Sequence, residues 1–328
     1  MLAVGDLHGN VHGLIENLRS LNVVDVNADQ QLHWTGGARQ LVFHGDILGD
    51  RNMGGFEILT RIAALRKEAS AAGGSIEVIA GNHDDFLISF LAGRPGAGNA
   101  DNLKTCENGG YFGLLELAQF GSPELQSLLK QSYDETIGKE KLVETWRQLS
   151  TEREAILTAM RQDPRGRQLL EAMCSMKLVT KRDDTLFLHT NPTEQIMELL
   201  LQHPDRPLDD MVRSVNQYYQ QGLRALLIDG EAPNQYYQVV QDTFLNTSNR
   251  NNFKDSSTIG ARLRSQGMNA IFHGHSDDPV RSRSDQVLIV STDQSSFKYQ
   301  DDSKARSVAA IARNGQVALG ADHKIVRG

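Results

Sequence analysis

The sequence is poor in cysteine and has no long hydrophobic run. Its 328 residues include only Cys106 and Cys174, too few and too far apart for a disulfide framework or a thiolate metal site. No stretch approaches the roughly 20 apolar residues of a transmembrane helix, and the chain does not begin with the basic and apolar segments of a secretory signal. We therefore expect a protein of a reducing compartment, most simply the cytoplasm, without a membrane segment.

Basic clusters, internal repeats and low-complexity segments are absent as well. The formal net charge is −7, and lysine and arginine form no long run, so the sequence lacks the electrostatic footprint of a nucleic-acid-binding protein. Hydrophobic residues make up 39% of the chain, and a chain of this length can bury a substantial core. We expect a globular protein with one large α/β domain that carries insertions, or with two modest domains.

Short apolar strands that end in polar residues recur along the chain. Residues 2–4, 41–43 and 76–79 each run through a polar loop into a segment with helical periodicity, and 185–188 and 270–272 also end in polar residues. Strand ends in an α/β sheet meet along one edge, so residues distant in sequence can converge there. The polar residues at these ends are Asp6 and His8; Asp46, Asp50 and Arg51; Asn82 and His83; His189; and His273 and His275.

Helical segments are predicted to interrupt this sheet. A glycine-rich opening followed by a charged stretch with few β-branched residues predicts a helical insertion, or cap, at 94–182. A second helical insertion is predicted at 194–240. The segments 1–93 and 183–328 are predicted to form the catalytic core, and an Asn-Gly pair at 314–315 predicts a hairpin near its end.

The residue types at the strand ends indicate a metal site. Carboxylates, imidazoles and one amide without thiolates suit divalent cations such as Mn, Fe, Zn or Co. A site with this many ligands can hold two ions about 3.5–4 Å apart, and one carboxylate must then bridge them. For any single strand end, a polar loop that only caps the following helix is the simpler interpretation, because Asp, Asn and Gly are common turn residues.

The ordered motifs resemble the signature of the calcineurin-like metallophosphoesterases. The motifs that carry the resemblance are Gly5-Asp6-Leu7-His8-Gly9, Gly45-Asp46 with Asp50-Arg51, Gly81-Asn82-His83-Asp84, His189, and Gly274-His275. Asn108-Gly109-Gly110 and the strand at 287–293 resemble, more narrowly, the bacterial phosphoprotein phosphatases. This resemblance implies an α/β fold, a metallophosphoesterase β-sandwich flanked by helices, with the helical insertions forming a cap.

The resemblance also implies a ligand set for two divalent metal ions, manganese first and iron, zinc or cobalt as alternatives. The implied ligands are Asp6 and His8 for the first ion, Asp46 as the bridge, and Asn82, His189 and His275 for the second. His273 precedes the last ligand by two residues, and we interpret it as a packed strand histidine rather than a ligand.

Four further residues are implied to act on the substrate. His83 would be the general acid that protonates the leaving oxygen, and Asp50 would fix its orientation. Arg51 would bind phosphate oxygens, and Arg250 matches the position of a second phosphate-binding arginine. Three residues separate the bridging Asp46 from Asp50, so a small bulge is expected before Asp50.

The implied reaction is phosphoester hydrolysis by direct attack of a hydroxide shared by the two ions. The implied substrate is a phosphorylated protein, at serine or threonine with tyrosine as a further option, or a small phosphoester. Hydrolysis of dinucleoside polyphosphates or nucleotides is an alternative, and a non-catalytic scaffold that keeps the fold for partner binding is another. A scaffold is expected to have lost ligands or the acid, whereas this sequence keeps all of them.

Overall fold

A computed structural model describes most of the chain. The described residues are 1–48, 52–93, 112–132, 139–245, 258–275, 281–284, 287–292, 308–311, 317–319 and 324–326. The Asn-Gly pair at 314–315 and the Asn-Gly-Gly segment at 108–110 lie outside them.

The described strands form two large sheets and one small hairpin. In chain order they are β1 (Leu2–Val4), β2 (Val24–Val26), β3 (Leu32–Trp34), β4 (Gln40–Phe43), β5 (Ser75–Val78), β6 (Val179–Arg182), β7 (Thr185–Leu188), β8 (Ala270–His273), β9 (Arg281–Ser284), β10 (Val287–Ser291), β11 (Val308–Ile311), β12 (Val317–Leu319) and β13 (Lys324–Val326). The first sheet has the order β13-β12-β11-β1-β4-β5, and the second has the order β6-β7-β8-β10-β9. Strands β2 and β3 pair with each other.

The strands that the sequence predicted to carry polar ends run parallel within each sheet. Strand β4 pairs in parallel with β1 and with β5, and β8 pairs in parallel with β7 and with β10. Their carboxyl ends therefore lie along one edge of each sheet, where ligands of α/β proteins bind. The C-terminal strands β11 and β12 pair antiparallel, as the Asn-Gly pair between them predicts.

The two sheets pack face to face. Residues at every second position of the strands point inward and form a separate apolar cluster between the sheets, as strand alternation requires; they are Ala3, Val42, Ile79, Phe187, Ala270, Phe272 and Val290. The rings of Phe187 and Phe272 stack with their centroids 5.7 Å apart. The opposite faces join a larger core shared with the helices. The predicted β-sandwich flanked by helices is confirmed.

Helices occupy the connections between the strands. They are α1 (Val11–Ser20), α2 (Gly55–Ala71), α3 (Asn82–Leu91), a 3-10 helix (Phe112–Phe120), α4 (Pro123–Ser132), α5 (Lys139–Gln162), α6 (Pro164–Cys174), α7 (Glu194–Leu201), α8 (Leu208–Arg224), a π-helical turn (Ala225–Asp229), α9 (Gln235–Leu245) and α10 (Ile259–Ser265). No helix in the described ranges combines the length and the apolar character that crossing a membrane requires.

Strand β6 extends the second sheet into the segment 94–182 that was predicted to be a helical insertion. Strand β6 pairs antiparallel with β7, so the second sheet begins at Val179 rather than after residue 182. The charged residues Lys181 and Arg182 concealed this strand, because they lie at the edge of the sheet and break the apolar pattern. The division of the chain into a core and two helical insertions otherwise stays a prediction.

Candidate metal centre

The structure brings the predicted ligands together at the carboxyl ends of the parallel strands. Two groups of side chains each have ligand atoms that lie within 4.8 Å of one another, and Asp46 belongs to both. One group adds His8 and His83 to Asp46, and the other adds His189 and His275. A carboxylate shared by two ligand groups has the placement that a bridging ligand needs.

Asp6 and Asn82 complete this cluster. The Asp6 carboxylate lies 3.9 Å from His8 Nε2 and 3.8 Å from His189 Nδ1. The Asn82 side-chain oxygen lies 2.9 Å from His189 Nε2. All six implied metal ligands and His83 therefore occupy one site, although their individual roles stay predictions.

Backbone hydrogen bonds join the loops that carry these residues. The backbone N–H of His8 donates to the Asp46 carbonyl at 2.6 Å, and that of His83 donates to the Asp46 carboxylate at 2.9 Å. The backbone N–H of His275 donates to the Asp6 carboxylate at 3.0 Å. A carboxylate that accepts such bonds has a fixed orientation, so the remaining lone pairs point in defined directions.

Three of the site residues have strained backbones. His8, Asp46 and His275 have φ angles of +48°, +48° and +62°, a left-handed conformation that non-glycine residues adopt infrequently. Such a conformation costs about 1–3 kcal/mol per residue and persists only where the surrounding contacts enforce it. Strain at three neighbouring site residues is typical of a functional site rather than of a set of ordinary turns.

Two motif glycines allow the loops to approach this closely. A Cβ atom on Gly81 would overlap the Asp46 carboxylate and its backbone nitrogen, and a Cβ atom on Gly274 would overlap the Asp6 carboxylate. Any side chain larger than hydrogen at Gly81 or Gly274 would prevent the neighbouring strand ends from approaching this closely.

Asp84 connects two of the strand ends and was not singled out by the sequence analysis. This buried carboxylate accepts hydrogen bonds from the backbone N–H groups of Ile47 at 2.9 Å, Leu48 at 2.7 Å and Gly81 at 2.7 Å. Burial raises the pKa of Asp84 to about 6, and the N–H donors act in the opposite direction. An acidic residue three positions after a helix N-cap is a capping signal, and this signal could have identified Asp84 from the sequence.

His189 is oriented by a hydrogen bond from behind the site. Its Nδ1 lies 2.6 Å from the His44 carbonyl, so Nδ1 carries the proton. Burial and then the neighbouring His275 ring lower the pKa of His189 well below its ordinary value, so the ring is neutral. Nε2 then presents a lone pair toward the Asn82 oxygen at 2.9 Å and the Asp46 carboxylate at 3.3 Å.

This donor set fits a divalent cation. An imidazole lone pair, an amide oxygen and a carboxylate oxygen that face one another without a proton between them repel each other, and a cation converts that repulsion into coordination. Metal-binding histidines usually donate their other ring N–H to a carbonyl or carboxylate, as His189 Nδ1 does to the His44 carbonyl. Hydrogen bonds within the protein therefore already orient the side chains that would hold such ions.

His83 differs from the other histidines in its exposure. Its side chain is 18% exposed, and Nε2 lies 4.0 Å from the Asp46 carboxylate. Its ring packs edge-on against His8, with centroids 5.4 Å apart, and against Phe86, with centroids 5.1 Å apart. His83 is thus held beside the ligand cluster with access to solvent, where a group arriving with the substrate would meet it.

Two buried histidines support the site from behind. His44 Nδ1 lies 2.7 Å from the Thr292 hydroxyl, and His273 Nδ1 lies 2.8 Å from the Gly274 carbonyl. Burial lowers the pKa of His44 to about 3 and that of His273 to about 4, so both are neutral packing residues. The interpretation of His273 as a packed strand histidine agrees with this placement.

The helical segment after α3 reaches the site through Glu116. This buried carboxyl group accepts hydrogen bonds from the backbone N–H groups of Gly55 at 3.0 Å and Phe56 at 3.2 Å, in the first turn of α2. Burial raises the pKa of Glu116 to about 8, against the effect of these donors. Because α2 follows the loop that carries Asp46, Glu116 positions the end of that loop.

Three predicted substrate-contacting residues lie outside the described residues. They are Asp50, Arg51 and Arg250. The pairing of Asp50 with His83 and the two arginine contacts with phosphate therefore stay predictions.

Comparison with solved structures identifies the fold. The chain superposes over 99% of its length on two crystal structures of cold-active protein tyrosine phosphatases, one of them from a psychrophilic Shewanella species. The Shewanella protein gives a TM-score of 0.51 at 17% identity over 78% of its chain. The other gives a TM-score of 0.54 at 16% identity over 77% of its chain. The chain has the fold of these phosphatases.

A sequence comparison agrees with this fold. The chain is 37% identical over 88 residues to the Shewanella-like protein phosphatase 2 of Arabidopsis thaliana. The match covers 27% of this chain and 21% of the plant protein, so it spans about a fifth of that relative's length. No protein-family model matches the chain. The chain is thus similar to protein phosphatases in its fold and, over this segment, in its sequence.

Proposed function

We propose that the chain is a metal-dependent phosphoprotein phosphatase that uses two divalent cations. The observation that carries this proposal is the position of Asp46, whose carboxylate lies within 4.8 Å of a potential ligand atom of His8 in one group and of His189 and His275 in another. The neutral, pre-oriented His189 and the fold shared with known phosphatases support it. Manganese is the proposed ion, and iron, zinc or cobalt would suit the same ligands.

Bound ions would supply an activated water molecule and neutralise charge on the phosphoryl oxygens. The protein residues then have distinct tasks. Asp46 would be the ligand shared by the two ions. The hydrogen bond from the His83 backbone N–H fixes the orientation of the Asp46 carboxylate. The partly exposed His83 ring donates a proton to the leaving oxygen, because an alkoxide is a poor leaving group until it is protonated.

The proposed substrate is a phosphorylated protein. A phosphoserine or phosphothreonine ester has an alkoxide leaving group and needs an acid such as His83 more than a phosphotyrosine ester does. The crystal structures that share the fold are described as protein tyrosine phosphatases, so phosphotyrosine belongs in the same screen.

Turnover with purified protein and Mn²⁺ tests the proposal. Phosphoserine, phosphothreonine and phosphotyrosine peptides and an aryl phosphate are compared by phosphate release. A dinucleoside polyphosphate and a cyclic nucleotide are followed by chromatography of their nucleotide products. We expect hydrolysis of at least one phosphopeptide, abolished by chelator and restored by Mn²⁺. Faster hydrolysis of the dinucleoside polyphosphate than of every peptide would show that the substrate is a nucleotide rather than a phosphorylated protein. Metal binding without turnover on any compound would favour a non-catalytic scaffold.

A further inference from the structure

A groove of about 470 Å³ lies between β6 and α8. None of the predicted metal ligands lines it, so it is separate from the candidate metal centre. Its volume falls within the roughly 300–1,000 Å³ of ligand-binding clefts. Val212 on the α8 wall gives it a small apolar part, whereas the Val179 side chain is fully buried beneath the strand.

Strand β6 is the edge of its sheet, and one position of that edge is already covered. The Asn216 side chain of α8 accepts a hydrogen bond from the Leu178 N–H at 2.8 Å and one from the Val179 N–H at 3.3 Å. It also donates to the Val179 carbonyl at 2.7 Å. The amide therefore takes the place of a neighbouring strand at Val179.

The next outward-facing position on β6 is open. In an antiparallel pair, successive residues direct their backbone groups alternately toward the partner strand and away from it. The N–H and carbonyl of Val179 point away from β7 and toward Asn216. Those of Lys181, two residues later, therefore also point away from β7 and into the groove. Apart from the β6–β7 ladder, no backbone hydrogen bond to the Lys181 N–H or carbonyl is found among the described residues. An open edge position of this kind is a template for an added strand.

The groove is positively charged although the chain as a whole is negative. Its charged lining consists of four cations, Lys177, Lys181, Arg182 and Arg213, and two carboxylates, Glu77 and Asp209. Four against two leaves a formal surplus of two positive charges, in a chain with a net charge of −7. Lys177 and Arg182 share the single carboxylate of Glu77. Arg213 pairs with Asp210, which does not line the groove.

We propose that the β6–α8 groove binds an extended acidic peptide segment of a partner protein as an added strand on β6. The Lys181 backbone supplies hydrogen bonds, the surplus of cations selects acidic side chains, and Val212 contacts an apolar side chain at an alternate position of the peptide. Lysine on an edge strand also discourages pairing between identical copies, which favours an acidic partner over a second copy of this chain. This site goes beyond the proposed phosphatase function and does not depend on it.

Fluorescence anisotropy with a labelled octapeptide of alternating glutamate and valine tests the proposal. We expect saturable binding that weakens as salt rises from about 0.05 to 0.5 M, because the attraction is screened. Arg213→Glu is expected to lower the affinity about fivefold or more. Arg19→Glu is the matched control, because Arg19 and Arg213 both make an exposed ion pair of 3.2 Å with an acidic residue three positions earlier.

Backbone-modified peptides separate strand addition from simple charge attraction. Methylation of alternate peptide nitrogens removes hydrogen-bond donors without changing charge, and one of the two methylation phases is expected to weaken binding about tenfold. The proposal is overturned if both phases bind like the unmodified peptide, if an alternating lysine–valine peptide binds as well, or if the acidic peptide fails to bind at about 1 mM. A dimer that Arg213→Glu dissociates would equally overturn it, since the occupant would then be a second copy. These measurements use no turnover, so they leave the proposed phosphatase function unaffected.

Discussion

Replacement of Asp84 tests whether the metal ligands depend on a carboxylate that does not itself face the metal centre. In Asp84→Asn, one oxygen becomes an NH₂ group, which would face either the Gly81 N–H or the N–H groups of Ile47 and Leu48. At least one charge-assisted hydrogen bond, worth about 1.5–3 kcal/mol, is lost, and one buried N–H is left facing another donor. The loss of a buried charge offsets part of this cost. We expect the free energy of unfolding to fall by about 2–3 kcal/mol.

The effect on the site is expected to exceed the effect on stability. The Asp84 carboxylate fixes the loop after β4 to the start of α3, so its replacement lets Asp46 and Asn82 move relative to each other. Loss of such a supporting group typically costs about 10–100-fold in metal affinity. Urea unfolding of the metal-free protein gives the stability, and calorimetric titration with Mn²⁺ gives the affinity.

Asp85→Asn provides the comparison for this experiment. Asp85 is the next residue of α3, is also buried, and accepts hydrogen bonds from the Gln241 side chain at 2.6 Å and from the Ser89 hydroxyl at 3.5 Å. We expect this variant to lose stability while it keeps metal affinity. The reasoning fails if Asp84→Asn binds Mn²⁺ as tightly as the wild type, or if both variants lose affinity equally.

Three further predictions address other parts of the site. Gly81→Ala is expected to lower metal affinity at least about tenfold, because the added methyl group overlaps the Asp46 carboxylate; unchanged affinity in a calorimetric titration would show that the loops have room. His83→Asn is expected to reduce turnover of alkyl phosphates by about 10²–10⁴-fold and that of aryl phosphates much less, and equal losses would exclude an acid role. In Glu116→Gln, stability relative to the wild type is expected to rise by about 1.4 kcal/mol per pH unit between the ordinary pKa of 4.5 and the folded pKa of about 8. The wild type loses stability over this range because the Glu116 carboxyl group ionises in the unfolded state before it does in the folded state. Unfolding free energies from urea titrations at pH 5, 6, 7 and 8 that change equally with pH in both proteins would contradict this.

The strand ends and their polar residues could be predicted from the sequence because each combines a local apolar run with residues of distinctive chemistry. The runs that end in Asp6, Asp46 and Asn82 are short and largely apolar, and they form the parallel strands of the first sheet. Parallel pairing then requires their ends to meet. The approach of the predicted ligands to one another follows from these two facts.

Other features depend on contacts between residues far apart in the chain. Glu116 positions the start of α2 through a hydrogen bond from the Phe56 N–H, 60 residues away in the chain. No local sequence pattern predicts such a contact. Non-glycine residues adopt left-handed backbones infrequently, so those of His8, Asp46 and His275 depend on tertiary contacts that no local pattern shows. Short strands such as β2, with three residues, and β9, with four, are too short to give a periodic signal.

The metal content of purified protein is the most direct test of a centre built around a shared Asp46. Protein loaded with Mn²⁺ and desalted is analysed by elemental mass spectrometry, for the wild type and for Asp46→Asn. A carboxylate that belongs to both ligand groups predicts two ions per wild-type chain and the loss of one or both in the variant. One ion in the wild type, or two ions retained by Asp46→Asn, would contradict it.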